Sequence, residues 1–447
     1  MLVLPASASD GAMTRVAFAT IGCRVNQVDT REIQGRLEAR GCETVPFDAP
    51  ADVVVVNTCT VTSRADFSDR QLIRRAIRAN PSARIVVTGC WAQTDPTAVA
   101  AIPGVDLVVG AAERHRIGEL IEGLAKAPRP RLVVGDLAQG VSMAAAPRAR
   151  IATRSRAFVK IQDGCQHRCA FCIVPFARGA SRSREPKVVV DQVRALVEAG
   201  HPEVVLTGID MGHYGADLFP RTTLAALLRD LAEVPGLRWL RLSSVLPAYF
   251  TPELTEAVTS LPVVAPHLHV PLQSGSDAVL RRMRRPYNVA IYTALVEKLA
   301  EAIPGLGLGT DLIAGFPGES EADFEGTLRL VEVLPFSYLH VFAYSDRKGT
   351  EAARRDGHLP PRVIAERSRR LRALGQAKSL AFRRRMLAAA RQVLVLATRD
   401  RATGRLIGLT GNYVEVVFDG PDSLMGALAW VRITDVHPER TEGERLP

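Results

Sequence analysis

The chain has 447 residues, of which 47% are hydrophobic and 23% are charged, and its formal net charge is +10 at pH 7. The composition is that of an ordinary soluble globular protein, and the length predicts two to four domains of roughly 100 to 200 residues each. No apolar run approaches the roughly 18 residues of a membrane span, and no basic residue precedes the short apolar patch at the start, so we expect neither a membrane span nor a secretory signal.

The chain contains seven cysteines. An odd number in so long a chain disfavours a disulfide framework and favours ligand or redox roles in a reducing compartment. We therefore expect a cytoplasmic protein, and Met13 is a candidate for its true first residue.

The first predicted domain, residues 14–137, alternates short apolar strands with helical patterns. The predicted strands are VAFAT, DVVVVNT, RIVVTG and DLVVG, and the helices are expected near 28–40, 64–79 and 114–125. This alternation is typical of a parallel α/β sheet.

Three cysteines, Cys23, Cys59 and Cys90, each follow a strand of this predicted sheet. Because the carboxyl ends of parallel strands share one edge, we expect the three thiols to converge there. One such cysteine is explained as a small buried side chain, but three in the same position indicate a metal cluster. Cys42 lies in a helix-to-strand turn away from that edge, and we expect it to be structural.

Residues 138–155 lack aromatic residues and apolar periodicity, and we interpret them as a linker. In the second predicted domain, residues 156–383, strands and helices alternate on a longer period. The strands are AFVKI, EVVLTG, WLRLSS, HLHVPL, LGLGTDLI and YLHVFAY, with helices near 187–199, 222–233, 253–260, 289–303 and 320–333. Six such units predict an incomplete (β/α)6 barrel, in which the active site lies on the loops after the strands.

Positive charge is concentrated in residues 361–391, which contain nine Arg and one Lys against one Glu. Apolar residues recur there near helical spacing, which predicts one or two basic amphipathic helices. On charge alone, a solvated helix face and a phosphate-binding surface both remain open.

The last predicted domain, residues 384–440, has the strand patterns QVLVLATRD, LIGLTG, YVEVVFDG and LAWVRITDV without intervening helices, and this predicts a small β-barrel.

The segment KIQDGCQHRCAFCIVPFARG places Cys165, Cys169 and Cys172 in the loop after the first barrel strand. Thiolates are soft ligands that suit an iron–sulfur cluster or zinc. A structural zinc site needs four ligands, and His167 would have to be the fourth at a spacing that zinc sites do not usually show. A [4Fe-4S] cluster on three cysteines instead leaves one iron open to a chelating cofactor.

The C-x3-C-x2-C spacing at this place in an incomplete barrel, with Phe171 before the third cysteine, resembles the radical S-adenosylmethionine superfamily. The resemblance implies that S-adenosyl-L-methionine binds the open iron and that a 5′-deoxyadenosyl radical forms after the transfer of one electron. It also implies a reductant such as flavodoxin or ferredoxin. The protein contributes orientation and shielding from water.

The three predicted domains together, over roughly residues 14–437, resemble the methylthiotransferase family, whose last module is called TRAM. The resemblance implies two [4Fe-4S] clusters. Cys165, Cys169 and Cys172 would hold the one that binds S-adenosyl-L-methionine, and Cys23, Cys59 and Cys90 the auxiliary one. It also implies tRNA as the partner, and we expect a monomer without membrane contact. With a TRAM module beside it, the basic stretch is better explained by tRNA phosphates than by solubility.

Three branches of this family act on isopentenyladenosine in tRNA, on threonylcarbamoyladenosine in tRNA, or on an aspartate of a ribosomal protein. The residues GCRVNQVDT, with VNTCTVT and TGCWAQ, look most like the threonylcarbamoyladenosine branch, so Arg24, Val25 and Gln27 predict methylthiolation at C2 of that nucleoside beside the anticodon. Arg24 suits a substrate carboxylate better than an apolar isopentenyl group. Alternatively, Arg24 pairs with a nearby Asp or Glu on the surface.

A non-catalytic RNA-binding metalloprotein is the alternative from another class, and visible iron–sulfur absorbance would argue against structural zinc. Resemblance places cofactor and substrate contacts in the loops after the barrel strands, but glycine and proline there also fit turn geometry alone. We expect four histidines of the barrel to be packed or hydrogen-bonded rather than catalytic: His213, His267, His269 and His340.

Overall fold

The computed structural model describes residues 13–137, 143 and 155–447. They form two compact units: the first comprises the described residues up to 137 together with Phe176–Arg178, and the second comprises the remainder. The predicted linker falls outside the described residues, except for residues 143 and 155. Within the described ranges, no helix has the length and hydrophobicity needed to cross a membrane.

The first unit is built on a six-stranded sheet. Its strands are β1 (Arg15–Thr20), β2 (Glu43–Val45), β3 (Val53–Thr58), β4 (Arg84–Gly89), β5 (Leu107–Val109) and β6 (Arg131–Val133). Its helices are α1 (Arg24–Glu38), α2 (Ser63–Ala79), α3 (Cys90–Thr94), α4 (Pro96–Ala100) and α5 (Ile117–Leu120), with a 3-10 turn at Arg114–Arg116. All neighbouring strands are parallel, in the order β2-β1-β3-β4-β5-β6.

The central strands of this sheet are covered on both faces, which explains their nearly continuous valine runs. Every residue of β3 is buried, and α2 begins where the side chain of Thr62 accepts a hydrogen bond from the main-chain nitrogen of Ala65. The predicted parallel α/β sheet is therefore confirmed. Helix α1 begins four residues earlier than expected, so that Cys23 becomes its N-cap.

The second unit contains an incomplete barrel. Its strands are β7 (Ala157–Lys160), β8 (Gln162–Asp163), β9 (Arg182–Ser183), β10 (Glu203–Thr207), β11 (Trp239–Leu242), β12 (His267–His269), β13 (Gly307–Ala314) and β14 (Tyr338–Ala343). The helices are α7 (Pro186–Glu198), α8 (Leu224–Ala232), α9 (Pro252–Ser260), α10 (Asp277–Arg282), α11 (Val289–Ala302), α12 (Glu321–Val333) and α13 (Pro361–Arg384). Helix α6 (Val174–Arg178) begins in this unit, and its residues Phe176–Arg178 belong to the first unit. Short 3-10 turns lie at Met211–His213, Pro247–Tyr249 and Ala352–Arg354.

Six parallel strands follow one another around this barrel in the order β7-β10-β11-β12-β13-β14. Between β11 and β12 the connection consists of two isolated bridges, Leu240 to Val264 and Ser244 to His269. The predicted incomplete (β/α)6 barrel is confirmed. Strands β8 and β9 form a separate small hairpin-like pair at its mouth. Alternate residues face the helices, as Leu308 and Leu312 of β13 do in the hydrophobic core, so Gly309 and Asp311 are on the face towards the barrel interior.

Helix α13 is the basic amphipathic helix expected from the sequence. Leu371 packs in the core of the barrel, whereas Phe382, near the other end, packs in the core of the C-terminal domain. Part of its positive charge is neutralised internally, because Arg367 pairs with Glu319 at 2.7 Å. Arg383 donates to main-chain oxygens between residues 437 and 440.

A closed five-stranded barrel follows. Its strands are β15 (Ala390–Arg399), β16 (Leu406–Thr410), β17 (Glu415–Phe418), β18 (Leu428–Val436) and β19 (Thr441–Arg445), with a 3-10 turn at Asp422–Leu424. They close in the order β15-β16-β17-β19-β18. The small C-terminal β-barrel is thus confirmed, and β19 is a strand that the sequence pattern did not predict.

The loop between β16 and β17 closes the amino-terminal end of the larger barrel. The Tyr413 ring stacks on His267 with centroids 4.4 Å apart, and Asn412 approaches Gly307 so closely that an added Cβ would lie 2.1 Å from its main-chain oxygen. Buried Arg241 donates to the oxygen of Gly411 at 2.8 Å while it pairs with buried Glu203 at 3.0 Å. The loop is therefore part of the barrel floor.

Candidate metal centres and barrel interior

Cys23, Cys59 and Cys90 lie at the carboxyl ends of three adjacent strands of the first unit. Cys59 directly follows β3, Cys90 directly follows β4, and Cys23 lies three residues after β1. Burial, and to a smaller degree charge on Cys90 and Cys23, raises the pKa of the Cys59 thiol to about 12. Because β1, β3 and β4 are neighbouring parallel strands, the three cysteines lie at one edge of the sheet. Cys42 precedes β2, at the other end of the strands.

The approach of Cys23 to Cys59 depends on Gly22. Its φ is +113°, which favours glycine, and an added Cβ would lie 2.8 Å from the Cβ of Cys59. A side chain at this position would push the two cysteines apart.

Arg178 brings a positive charge to the same edge. Its guanidinium donates to Asp29 at 2.9 Å and to the side-chain oxygen of Asn26. Asn26 in turn donates at 2.9 Å to the main-chain oxygens of Ile21 and Thr58. Burial raises the pKa of Cys90, and Arg178 acts in the opposite direction. Nearby positive charge favours the thiolate, which is the form that binds metal.

Cys165, Cys169 and Cys172 lie in one loop of the second unit. The main-chain nitrogen of Cys172 donates to the oxygen of Cys169 at 3.0 Å. Gly164 has a φ of +76°, and an added Cβ there would lie only 2.0 Å from the main-chain oxygen of Ala180. Burial, then the charges of Asp210 and of the other two cysteines, raises the pKa of Cys165. The three thiols thus lie within one short, tightly turned loop.

A buried polar network lies beside Cys165. The Asp210 carboxylate is 3.7 Å from its sulfur and accepts a hydrogen bond of 3.1 Å from the Tyr249 hydroxyl. That hydroxyl also contacts Nε2 of His167 at 2.8 Å. Burial raises the pKa of Asp210. His167, considered above as a fourth zinc ligand, thus has a partner outside the cysteine triad.

Arg285 contacts the second cysteine of the motif. Its Nη1 donates to the Cys169 sulfur at 3.2 Å, and its Nε donates to the Tyr287 hydroxyl at 2.8 Å. The Tyr287 hydroxyl donates to the main-chain oxygen of Pro271 at 2.8 Å, which fixes the pair. Burial lowers the pKa of Arg285, but the contacts with Tyr287 and Cys169 outweigh it, and the net shift is upward.

The residues present fit an iron–sulfur cluster with a polar cofactor. Asp210 Oδ1 and Arg285 Nη2 are buried beside the thiols without a hydrogen-bond partner among the residues that the structure describes. Buried polar atoms normally have partners, so these two are suited to a polar ligand. Thiolate sulfurs are also the donors that iron–sulfur clusters require.

The four barrel histidines have polar partners, as expected. These contacts are His213 to Ser181 at 3.1 Å, His267 to Tyr338 at 2.8 Å, His269 to Ser244 at 2.7 Å and His340 to Asp311 at 3.3 Å. The sequence analysis assigned no role to Asp210, Asp311 or Arg285. Asp210 follows β10 and Asp311 lies within β13, where function was expected, whereas Arg285 lies between α10 and α11.

The residues that suggested a substrate branch lie in the first turn of α1. Arg24 donates to Gln27 at 3.0 Å on the surface, whereas Val25 is buried in the core of the unit. Arg24 is therefore exposed beside Cys23, Gln27 is partly buried, and Val25 contributes to packing.

Two family models match the chain. The one described as Uncharacterized protein family UPF0004 covers residues 15–110, and that of the Radical SAM superfamily covers residues 159–331.

Relatives match over nearly the whole length. Threonylcarbamoyladenosine tRNA methylthiotransferase MtaB of Bacillus subtilis (strain 168) is 40% identical over 97% of this chain and 96% of its own. The protein of the same name from Aquifex aeolicus (strain VF5) is 38% identical over 91% of this chain and 97% of its own. A tRNA-2-methylthio-N(6)-dimethylallyladenosine synthase of Moorella thermoacetica (strain ATCC 39073 / JCM 9320) is 38% identical over 96% and 97%.

Solved structures share the fold. The radical S-adenosylmethionine methyltransferase TsrM from Kitasatospora setae, solved with cobalamin and a [4Fe-4S] cluster, has a TM-score of 0.56 at 16% identity and covers 76% of this chain and 74% of its own. The cobalamin-dependent S-adenosylmethionine radical enzyme OxsB has a TM-score of 0.51 at 13% identity and covers 80% of this chain and 55% of its own.

Proposed function

Because the chain belongs to the radical S-adenosylmethionine tRNA methylthiotransferases, we propose that it adds a methylthio group to C2 of N6-threonylcarbamoyladenosine beside the anticodon of tRNA. Identity to relatives of the two tRNA branches is nearly equal, at 40% and 38%. The observation that carries the choice is the segment GCRVNQ, which places exposed Arg24 next to Cys23.

In this proposal Cys165, Cys169 and Cys172 hold a [4Fe-4S] cluster with S-adenosyl-L-methionine, and a second [4Fe-4S] cluster is held by Cys23, Cys59 and Cys90. When bound, these groups supply radical chemistry at the first centre and sulfur-transfer chemistry at the second. The protein acts as a monomer and receives electrons from a donor such as flavodoxin or ferredoxin.

The chain's own residues orient the groups around the first cluster and bind the tRNA. The hydrogen bond of Tyr249 fixes Asp210 beside Cys165, and Arg285 holds a positive charge beside Cys169. The basic end of α13 and the C-terminal barrel supply contacts to tRNA phosphates, which give affinity without base specificity. The target adenosine must leave its stack to enter the barrel.

The test offers the reconstituted enzyme two tRNAs in parallel, one with threonylcarbamoyladenosine and one with isopentenyladenosine, together with reductant and S-adenosyl-L-methionine. Nucleoside mass spectrometry should show methylthiolation of the threonylcarbamoyl tRNA. Arg24→Ala should reduce that product, while Arg36→Ala, on the same helix, serves as the matched control. Preferential modification of the isopentenyl tRNA would overturn the choice of substrate and leave the radical chemistry intact.

A further inference from the structure

Three polar side chains from consecutive barrel strands meet in the second unit: His269 from β12, Asp311 from β13 and His340 from β14. Their ligating atoms all lie within 4.8 Å of one another. Asp311 Oδ1 is 3.2 Å from His269 Nε2 and 3.3 Å from His340 Nδ1. None of the three contacts a cysteine in the hydrogen bonds and ion pairs described above, so they form a separate group.

All three side chains face the barrel interior. Their neighbours Leu268 and Leu312 lie in the hydrophobic core under the helices, and strand geometry sends alternate residues to the opposite face. The interior is open to solvent at β14, where the His340 side chain is 54% exposed and Phe342, two residues further on, is 41% exposed. An interior wall that remains accessible can receive a ligand.

Neighbouring side chains fix the orientation of His269 and Asp311. Ser244 contacts Nδ1 of His269 at 2.7 Å, which directs the other ring nitrogen towards Asp311. Burial would raise the pKa of Asp311, but His269 and His340 outweigh it, and the net shift is well below the usual range. Asp311 is thus an anion flanked by two imidazoles. Since Nδ1 of His340 faces Asp311, Nε2 is the ring nitrogen left for a ligand, and it donates to that ligand in the form of the ring that carries hydrogen on both nitrogens.

We propose that His340, positioned by Asp311, contacts the carboxylate of the N6 substituent on the target adenosine and so contributes to substrate specificity. This inference rests on the proposed function and deepens it. A threonylcarbamoyl group offers a carboxylate that accepts a hydrogen bond, whereas an isopentenyl group would leave the Nε2–H unpaired. Sites built to bond a polar substrate group reject analogues that lack it much more strongly than apolar pockets do.

The test measures binding rather than turnover. Holoenzyme with S-adenosyl-L-methionine and no reductant is titrated with two anticodon stem-loop RNAs, one with threonylcarbamoyladenosine and one with plain adenosine at the same position. His340→Phe keeps an aromatic ring and removes both nitrogens. We expect it to weaken binding of the modified RNA about tenfold or more, the effect of losing a hydrogen bond to a charged group, and to leave the plain RNA unaffected.

Two further variants control for packing. His358→Phe removes another imidazole that contacts an aspartate, Asp346 at 2.9 Å, and should change neither affinity. His340→Asn retains a side-chain donor and should recover part of the lost affinity. Equal weakening on both RNAs, or no weakening, would overturn the proposal. The proposal would also be overturned if the wild-type protein contained one equivalent of a metal other than iron and His340→Phe did not. That metal would then be bound by the histidines.

Failure of the proposed function gives a different result. If wild-type enzyme does not methylthiolate threonylcarbamoyladenosine in tRNA, the function itself is wrong, whatever the binding data show. If it does so and His340→Phe still distinguishes the two RNAs as the wild type does, only the role of His340 is wrong.

Discussion

Replacing Arg384, Arg385 and Arg391 together by Ala tests whether the carboxyl end of α13 and the start of β15 bind RNA. All three residues are exposed. Within the part of the chain that the structure describes, their side chains make no ion pair, and Arg385 lies over the Phe382 ring. Arg383 is left unchanged, because it holds the loop before β19 and its loss would disturb the C-terminal barrel.

The expected change in the salt dependence of tRNA binding follows from counterion release. Each phosphate contact contributes roughly 0.7 to 0.9 to the slope of log affinity against log salt, so three contacts contribute about 2 to 3. Between about 50 and 200 mM salt, wild-type affinity should then fall about 20- to 40-fold more than the affinity of the variant.

Fluorescence anisotropy with labelled tRNA across this salt range measures both slopes. A control variant with Arg194, Arg238 and Arg329 changed to Ala loses the same charge from other exposed positions. Its slope should stay near the wild-type value. If both triple variants lose the same slope, net charge alone is responsible, and if neither does, α13 has a solvated face without a role in RNA binding.

Three other predictions concern the metal centres. Gly22→Ala should place a Cβ 2.8 Å from that of Cys59 and remove about half of the roughly eight irons expected of two clusters, as elemental analysis would show. Cys169→Ala should abolish reductive cleavage of S-adenosyl-L-methionine, whereas Cys59→Ala should retain some cleavage and stop methylthiolation; equal cleavage by both would refute the assigned roles. Arg285→Met should lower the reduction potential of the cluster, because a positive charge and an N–H···S contact are lost; a redox titration followed by electron paramagnetic resonance measures it, and an unchanged potential would contradict the argument.

The elements that the sequence predicted best are those with strong local patterns. The valine run of β3 and the apolar spacing of α13 are visible without any tertiary information. Strand β19 has the sequence TEGER, and it is buried through Thr441 and Gly443 rather than through apolar side chains. It pairs mainly with β18, which directly precedes it, but its residues show no apolar alternation that would mark it as a strand.

The cysteines of the candidate site were identifiable because their spacing and their positions after strands are sequence features. Arg178 was not, since its partner Asp29 is 149 positions away. The same holds for Arg285, which reaches Cys169 across 116 positions. Contacts of this kind depend on which strands become neighbours, and local sequence patterns do not show that.

The loop that carries Asn412 and Tyr413 means that the C-terminal barrel is not a detachable accessory. A chain truncated after α13 would expose the stacked face of His267 and leave buried Arg241 without two of its carbonyl acceptors. Lineages that lose or exchange this module must therefore rebuild the base of the catalytic barrel at the same time. Engineered chimaeras should accordingly be joined so that the β16–β17 loop stays with the barrel it seals.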